Sequence, residues 1–224
     1  MKVPLSGCRV LARRWVLTLA GFLLACGGAY ALTACPDGRA IAQAPTGHPR
    51  IIRPAELDGA RAESIYRAIR GRLTAAYGMS DDPLAQAYVT WRRLNRHPYQ
   101  SAQHGDRYVN NYANDIARNY GPSRIAGPLP VGSQVAKDSF IVTRGGDILV
   151  GPLAVMEKMP PGFDASTGDW RYMMIDAAGN VVGMTGGLNA DRMKFCNECH
   201  VKAPAGQDRL FFVPGRARLP PATR

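Results

Sequence analysis

Residues 193–212 read MKFCNECHVKAPAGQDRLFF, and within them Cys196, Cys199 and His200 make C-x-x-C-H, the spacing at which a c-type haem is attached. No other feature of the chain constrains it as much. Residues i and i+3 share one face of a helical turn, so both sulfurs can reach the two vinyl groups of one macrocycle. His200 then falls beneath the iron as proximal ligand. Two other uses of these residues compete with this one. A zinc site needs two more ligands, and beyond residue 35 the chain offers no further cysteine and only His48, His97 and His104. A thioredoxin-type dithiol belongs at the strand-to-helix junction of a βαβ unit, and the sequence pattern contains none.

The start of the chain supports the haem reading. Lys2, Arg9, Arg13 and Arg14 precede the apolar run WVLTLAGFLLA (15–25), and small residues follow. This is the layout of a secretory signal, and export takes a protein to the oxidising compartment where c-type haem is attached. Three ends to a signal spanning 1–35 are open. LLAC and LTAC look like lipoprotein boxes that would lipidate Cys26 or Cys35, AYA (29–31) suits an ordinary signal peptidase, and 15–34 also has the ~20 residues of an uncut anchor. The expected location is periplasmic, soluble or lipid-anchored. With Cys8, Cys26 and Cys35 in this region, a disulfide framework is excluded.

Charge narrows the partners. The chain has 28 Lys and Arg against 17 Asp and Glu, and removing the four basic residues of the signal leaves 24 against 17, or +7. The charges are scattered and accompany no nucleic-acid motif. They suit a solvated basic surface that attracts an acidic redox partner or anionic lipid.

Three regions follow the signal. Residues 36–53 are polar, proline-marked and aperiodic, and read as a tether. From 54, Ile65, Ile69 and Leu73 recur at helical spacing until Gly78. Asp82 and Pro83 then start a second helix carrying Leu84, Ala87, Tyr88, Trp91 and Leu94 on one stripe. Residues 97–121 begin irregular and are predicted helical around 111–120. After a loop, 133–143, 147–159, 169–176 and 180–185 read as four strands, with connections short enough for antiparallel hairpins. The predicted class is α+β: N-terminal helices, a mainly antiparallel β-sheet, and a C-terminal haem segment, all within 54–224.

The sixth iron position decides between electron transfer and ligand chemistry. Met156, Met159, Met173, Met174, Met184 and Met193 are available, but strand methionines mostly fill cores. His104 is the other candidate.

Taken together, HGDRYVNNYAN (104–114), VAKDSF (135–140), GPLAVMEKM (151–159), GDWRYMMI (168–175) and FCNECH (195–200) resemble the cytochrome P460 family over roughly residues 95–215. The resemblance implies an exported c-type cytochrome with a mainly β fold, commonly homodimeric, with a five-coordinate haem and a lysine joined covalently to the haem edge. Cys196 and Cys199 match the thioether cysteines, His200 the proximal ligand, and Lys137 the cross-linking lysine. Along its strand Lys137 shares a face with Val135 and Ile141, away from Asp138, whereas Lys158, its competitor, reads as surface. Arg107 matches an arginine near the distal pocket. The chain departs from the family where members that oxidise hydroxylamine carry a distal glutamate: that position falls on Ala154, and Glu157 lies on the opposite face. Relatives with an apolar distal residue look like the beta-type cytochromes c′, which bind nitric oxide and similar gases. The resemblance thus implies one covalent haem c, a small nitrogen species such as hydroxylamine or nitric oxide as ligand or substrate, and a redox partner protein. The alternative is a non-catalytic gas-binding or electron-transfer cytochrome.

Overall fold

The structure, a computed structural model, describes residues 47, 48, 50, 54–121 and 127–219. The expected signal (1–35), most of the expected tether (36–53), and the loop residues 122–126 lie outside the described residues. Among the described residues no helix is long and apolar enough to cross a membrane.

Asp58 begins the first helix by accepting a hydrogen bond from the Arg61 amide, and α1 runs Gly59–Gly78, burying Tyr66, Ile69, Leu73 and Tyr77. Asp82 caps α2 (Pro83–Ala87) in the same way, with Pro83 at the first helical position, where its missing N–H costs nothing. Here the sequence reading needs correction. The expected helix through Leu94 stops at Ala87, a 3-10 turn Tyr88–Thr90 follows, and β1 is Arg92–Arg93. Tyr88 and Leu94 pack into different cores, one on each face of the sheet, so the chain must cross the sheet edge between them.

The sheet among the described residues has eight strands, all paired antiparallel. After β1 come β2 (Tyr99–Ser101), β3 (Arg107–Ala113), β4 (Gln134–Val142), β5 (Ile148–Val150), β6 (Leu153–Lys158), β7 (Trp170–Ile175) and β8 (Val181–Met184). The path is β1-β3-β4-β6-β7-β8, with β2 also on β3 and β5 also on β4. The predicted helix at 111–120 is a second correction, because β3 runs to Ala113 and only turns follow it. All seven β3 residues are buried, so the strand carries no polar-apolar alternation to betray it. A third correction concerns 147–159, which is two strands. Pro152 has no N–H for the ladder, and Gly151 donates to the Ser139 carbonyl at the break. The α+β class with an antiparallel sheet stands.

Alternation along the central strands sorts the side chains onto two faces. Tyr108, Tyr112, Phe140, Leu153 and Ile175 face α1. Val109, Ala113, Val135, Met156, Trp170, Tyr172 and Met174 form the other core with Phe195, Leu210 and Val213 of the C-terminal segment. Burial of each large apolar side chain contributes about 1.5–3 kcal/mol. The Tyr77 hydroxyl pins the end of α1 to the sheet by donating to the Gly151 carbonyl at 2.8 Å.

The β7–β8 hairpin closes against the end of α1. Gly179 has φ +82°, and a Cβ there would lie 2.8 Å from the Met79 carbonyl carbon. Strain and overlap act together, so Gly179→Ala is expected to cost about 2–4 kcal/mol, read by urea unfolding of the purified protein. An unchanged midpoint would mean that helix and hairpin do not meet this closely.

Candidate functional site

The second core is incomplete. Between the sheet and the C-terminal segment lies a cavity of about 600 Å³, within the range of small-molecule and cofactor sites. One wall is the sheet face, with Lys137, Ala154, Met156 and Tyr172; the other is α3 (Lys194–His200) and the chain after it. Cys196, Cys199 and His200 all line it, as do His48 and His104.

His200 is held in one tautomer. Its Nδ1 lies 2.7 Å from the Arg209 carbonyl, and a carbonyl can only accept, so Nδ1 carries the proton. Burial, reinforced by the Lys137 charge, lowers the His200 pKa to about 4. At neutral pH the ring is therefore uncharged, with its lone pair on Nε2, the form in which imidazole ligates a metal. The carbonyl is delivered by a turn in which Asp208 and Arg209 both take positive φ, 45° and 62°. Asp208 secures that turn, accepting from Lys158 Nζ and from the Leu129 amide, each at 2.8 Å.

This corrects the surface reading of Lys158. The side chain is buried, ion-paired to Asp208, bonded to the Gly168 carbonyl, and set over the Trp170 ring. Lys137 instead lines the cavity, with Nζ 3.5 Å from His104 Nε2. Burial lowers its pKa from 10.5 to about 8, the nearby Cys199 opposing the shift. A lowered pKa leaves more of the side chain as free amine at neutral pH, the form in which lysine can act as a nucleophile. Asp138, one residue on, points to the other face, where it accepts from Asn110, Tyr66 and Tyr112.

Arg107 lies next to the cavity wall, its charge acting on His48. It is buried behind His104, donating to that residue's carbonyl at 2.9 Å, and the cavity lining among the described residues does not include it. Ala154 is the cross-strand partner of Lys137 and lines the cavity. Glu157 faces the other side, accepting from Gln134 at 3.0 Å and Arg171 at 3.2 Å. No described lining residue is acidic.

His48 was missed as a wall residue, because its segment reads as tether. Its ring packs 5.0 Å from both His104 and Phe195, and its buried Nδ1 has no hydrogen-bond partner among the described residues. Burial, then the charges of Arg107 and Lys137, lower its pKa to about 4; burial likewise lowers that of His104, which stays neutral. A lone histidine in a polar stretch carries no sequence signal for such a position.

Cys196 lacks the electrostatics of a reactive thiol. Burial pushes the Cys196 thiol up to about 12, the nearby Cys199 adding to it, whereas a reactive dithiol requires a lowered value. Among the described residues no three His, Cys, Asp or Glu side chains are grouped to hold a bare metal ion. The wall does fit a flat apolar macrocycle: two sulfurs on one helical turn, a ligation-ready imidazole after them, and aromatic and aliphatic side chains opposite. No protein-family model matches the chain, and no curated protein matches it.

Proposed function

We propose that this is an exported single-haem c-type protein of the P460 kind, which binds or oxidises a small nitrogen species such as hydroxylamine or nitric oxide. The observation that carries the reading is the His200–Arg209 bond at the edge of a cavity whose wall also bears Cys196 and Cys199. Haem would supply an iron that takes small ligands on its open side and exchanges single electrons. Cys196 and Cys199 would add their S–H bonds across the two vinyl groups, a step needing no oxidant. His200 would ligate through Nε2, the Arg209 carbonyl fixing its orientation and basicity. Lys137 would meet the macrocycle edge, and Ala154 and Met156 would leave a small, mostly apolar space beside it.

The absence of an acid from the described lining favours a second reading, a non-catalytic gas-binding protein resembling the beta-type cytochromes c′, or an electron carrier with methionine or histidine as sixth ligand. Oxidising hydroxylamine removes protons as well as electrons; in place of a carboxylate base the described lining offers neutral histidines and Lys137, and removing a well-placed general base typically costs ~10²–10⁴ in rate. The expected setting in either case is periplasmic, soluble or lipid-anchored, as a homodimer exchanging electrons with a redox partner.

The test is an optical spectrum of periplasmically expressed protein, oxidised and reduced, repeated in denaturing pyridine. The expected result is a red-shifted reduced Soret band and a spectrum that stays abnormal on denaturation, marking the lysine link. A normal c-type spectrum with high-spin reduced iron would select the gas-binding reading, and low-spin iron the electron carrier. A colourless protein would remove haem altogether. Turnover of hydroxylamine with an artificial acceptor then decides whether the protein is an oxidoreductase.

A further inference from the structure

The cavity wall holds a short polar chain that haem ligation does not use. Lys137 Nζ lies 3.5 Å from His104 Nε2, and His104 Nδ1 lies 2.9 Å from Ser101 Oγ. All three residues line the cavity. His104 is fixed from further sides as well: Arg107 holds its carbonyl, and the His48 ring packs against its own. The turn that carries it is equally constrained. Gly105 and Asp106 have φ of 75° and 60°, and the Asp106 amide donates back to the Ser101 carbonyl at 2.9 Å.

Such bracing matters because lysine is a poor self-positioner. Four rotatable bonds let Nζ sweep a wide volume, and a reacting group must sit within a near-attack geometry. Each member of the chain except an ammonium can both donate and accept. With Nδ1–H directed at Ser101, Nε2 is free to accept from Lys137, and burial keeps the ring neutral for that purpose.

We infer that His104 is the positioning residue for Lys137, holding its amine against the cofactor edge so that formation of the lysine–haem bond depends on it. This rests on the reading of Lys137 given under Proposed function. The step is balanced as follows. One C–N bond forms, one N–H and one porphyrin-edge C–H break, and two electrons and two protons leave. An oxidant of the peroxide class accepts both and becomes two waters. When Lys137 starts as ammonium, its extra proton is first lost to solvent at the open side of the cavity, leaving the free amine to donate to Nε2.

The experiment compares wild type, His104→Ala, His104→Gln and Ser101→Ala, each expressed with haem attachment and treated with hydrogen peroxide. Peptide mapping measures the fraction of haem peptide 195–200 tied to the Lys137 peptide, and thioether-bound haem per chain reports folding. His104→Ala is expected to lower the cross-linked fraction about tenfold or more at unchanged haem content. His104→Gln, whose side-chain oxygen accepts the same bond, should stay within about twofold of wild type. Equal cross-linking in His104→Ala and wild type overturns the inference and leaves the reading of Lys137 intact; so does a glutamine variant as deficient as alanine. A wild-type protein without the link overturns both. If His104→Ala fails to retain haem, Ser101→Ala decides, since it removes only the brace at Nδ1: partial loss of the link supports the inference, and none overturns it.

Discussion

A protein carrying Cys196→Ala and Cys199→Ala together is expected to keep no haem once denatured and extracted with acidified solvent, where the wild type keeps its colour. Each sulfur supplies one thioether, and the Lys137 bond proposed above forms on a haem that these thioethers already hold in place. The larger consequence is structural. Leaving a buried apolar cavity unfilled costs about 24 cal/mol per Å³. Applied to about 600 Å³ this reaches ~14 kcal/mol, an upper bound because the cavity opens to solvent. Whole domains have only ~5–15 kcal/mol of stability. The double variant is therefore expected to be loosely packed as well as lacking covalent haem, with a broad urea transition and low yield. His200→Ala, by contrast, keeps both thioethers and should keep colour on denaturation while the native spectrum changes. A double variant that retained covalent haem, or unfolded as sharply as wild type, would contradict the assignment of the cavity.

Asp138→Asn is expected to flatten the acid side of the stability profile. Asp138 is buried beneath α1, accepting from Asn110 at 2.8 Å and from the Tyr66 and Tyr112 hydroxyls, which also touch each other. Burial raises its pKa from 3.8 to about 6, against the lowering effect of these bonds and of the Arg93 charge. A raised carboxyl binds its proton more tightly in the folded chain, so between pH 4 and 6 the folded state holds more protons than the unfolded one. The Asp138 contribution to stability consequently falls as pH rises through that window, by on the order of 3 kcal/mol in total. Asparagine cannot ionise and should abolish this component. Urea unfolding of the haem-loaded protein at pH 4, 5, 6 and 7 reads the difference; identical profiles for wild type and variant would sink the argument. Asp138→Ala tests the bonds themselves. It leaves Asn110 and two buried hydroxyls short of an acceptor, at a cost of about 3–5 kcal/mol.

The residues that were legible in sequence are those whose local pattern and final environment agree. Asp58 and Asp82 precede helices because their carboxylates satisfy the first free amides, a relation spanning only a few residues. The stretch predicted as strand at 133–143 is β4, Gln134–Val142, and its alternation correctly sends Lys137 and Asp138 to opposite faces. The failures arose where neighbours far along the chain override the pattern. Strand β3 is buried on both faces, since α1 covers Tyr108 and Tyr112 while the C-terminal core covers Val109 and Ala113. Its residues offer no periodicity from which to infer either partner. Lys158 reads as surface because nothing near it in sequence is acidic and available, and its partner Asp208 lies fifty residues away.

The same division runs through the site. C-x-x-C-H is a local device, and helical geometry alone aligns Cys196 and Cys199. The carbonyl that sets the His200 tautomer belongs to Arg209, in a left-handed turn anchored by a buried ion pair, and no residue type announces it. His48 and His104 meet in the cavity wall though more than fifty residues separate them. What sequence settles here is short-range helical and strand geometry: the caps, the alternation of β4, the spacing of Cys196, Cys199 and His200. Tertiary structure alone decides which lysine is pinned to an acid and which faces the cavity. Those outcomes are set by desolvation and by charge across distant segments, which have no one-dimensional signature.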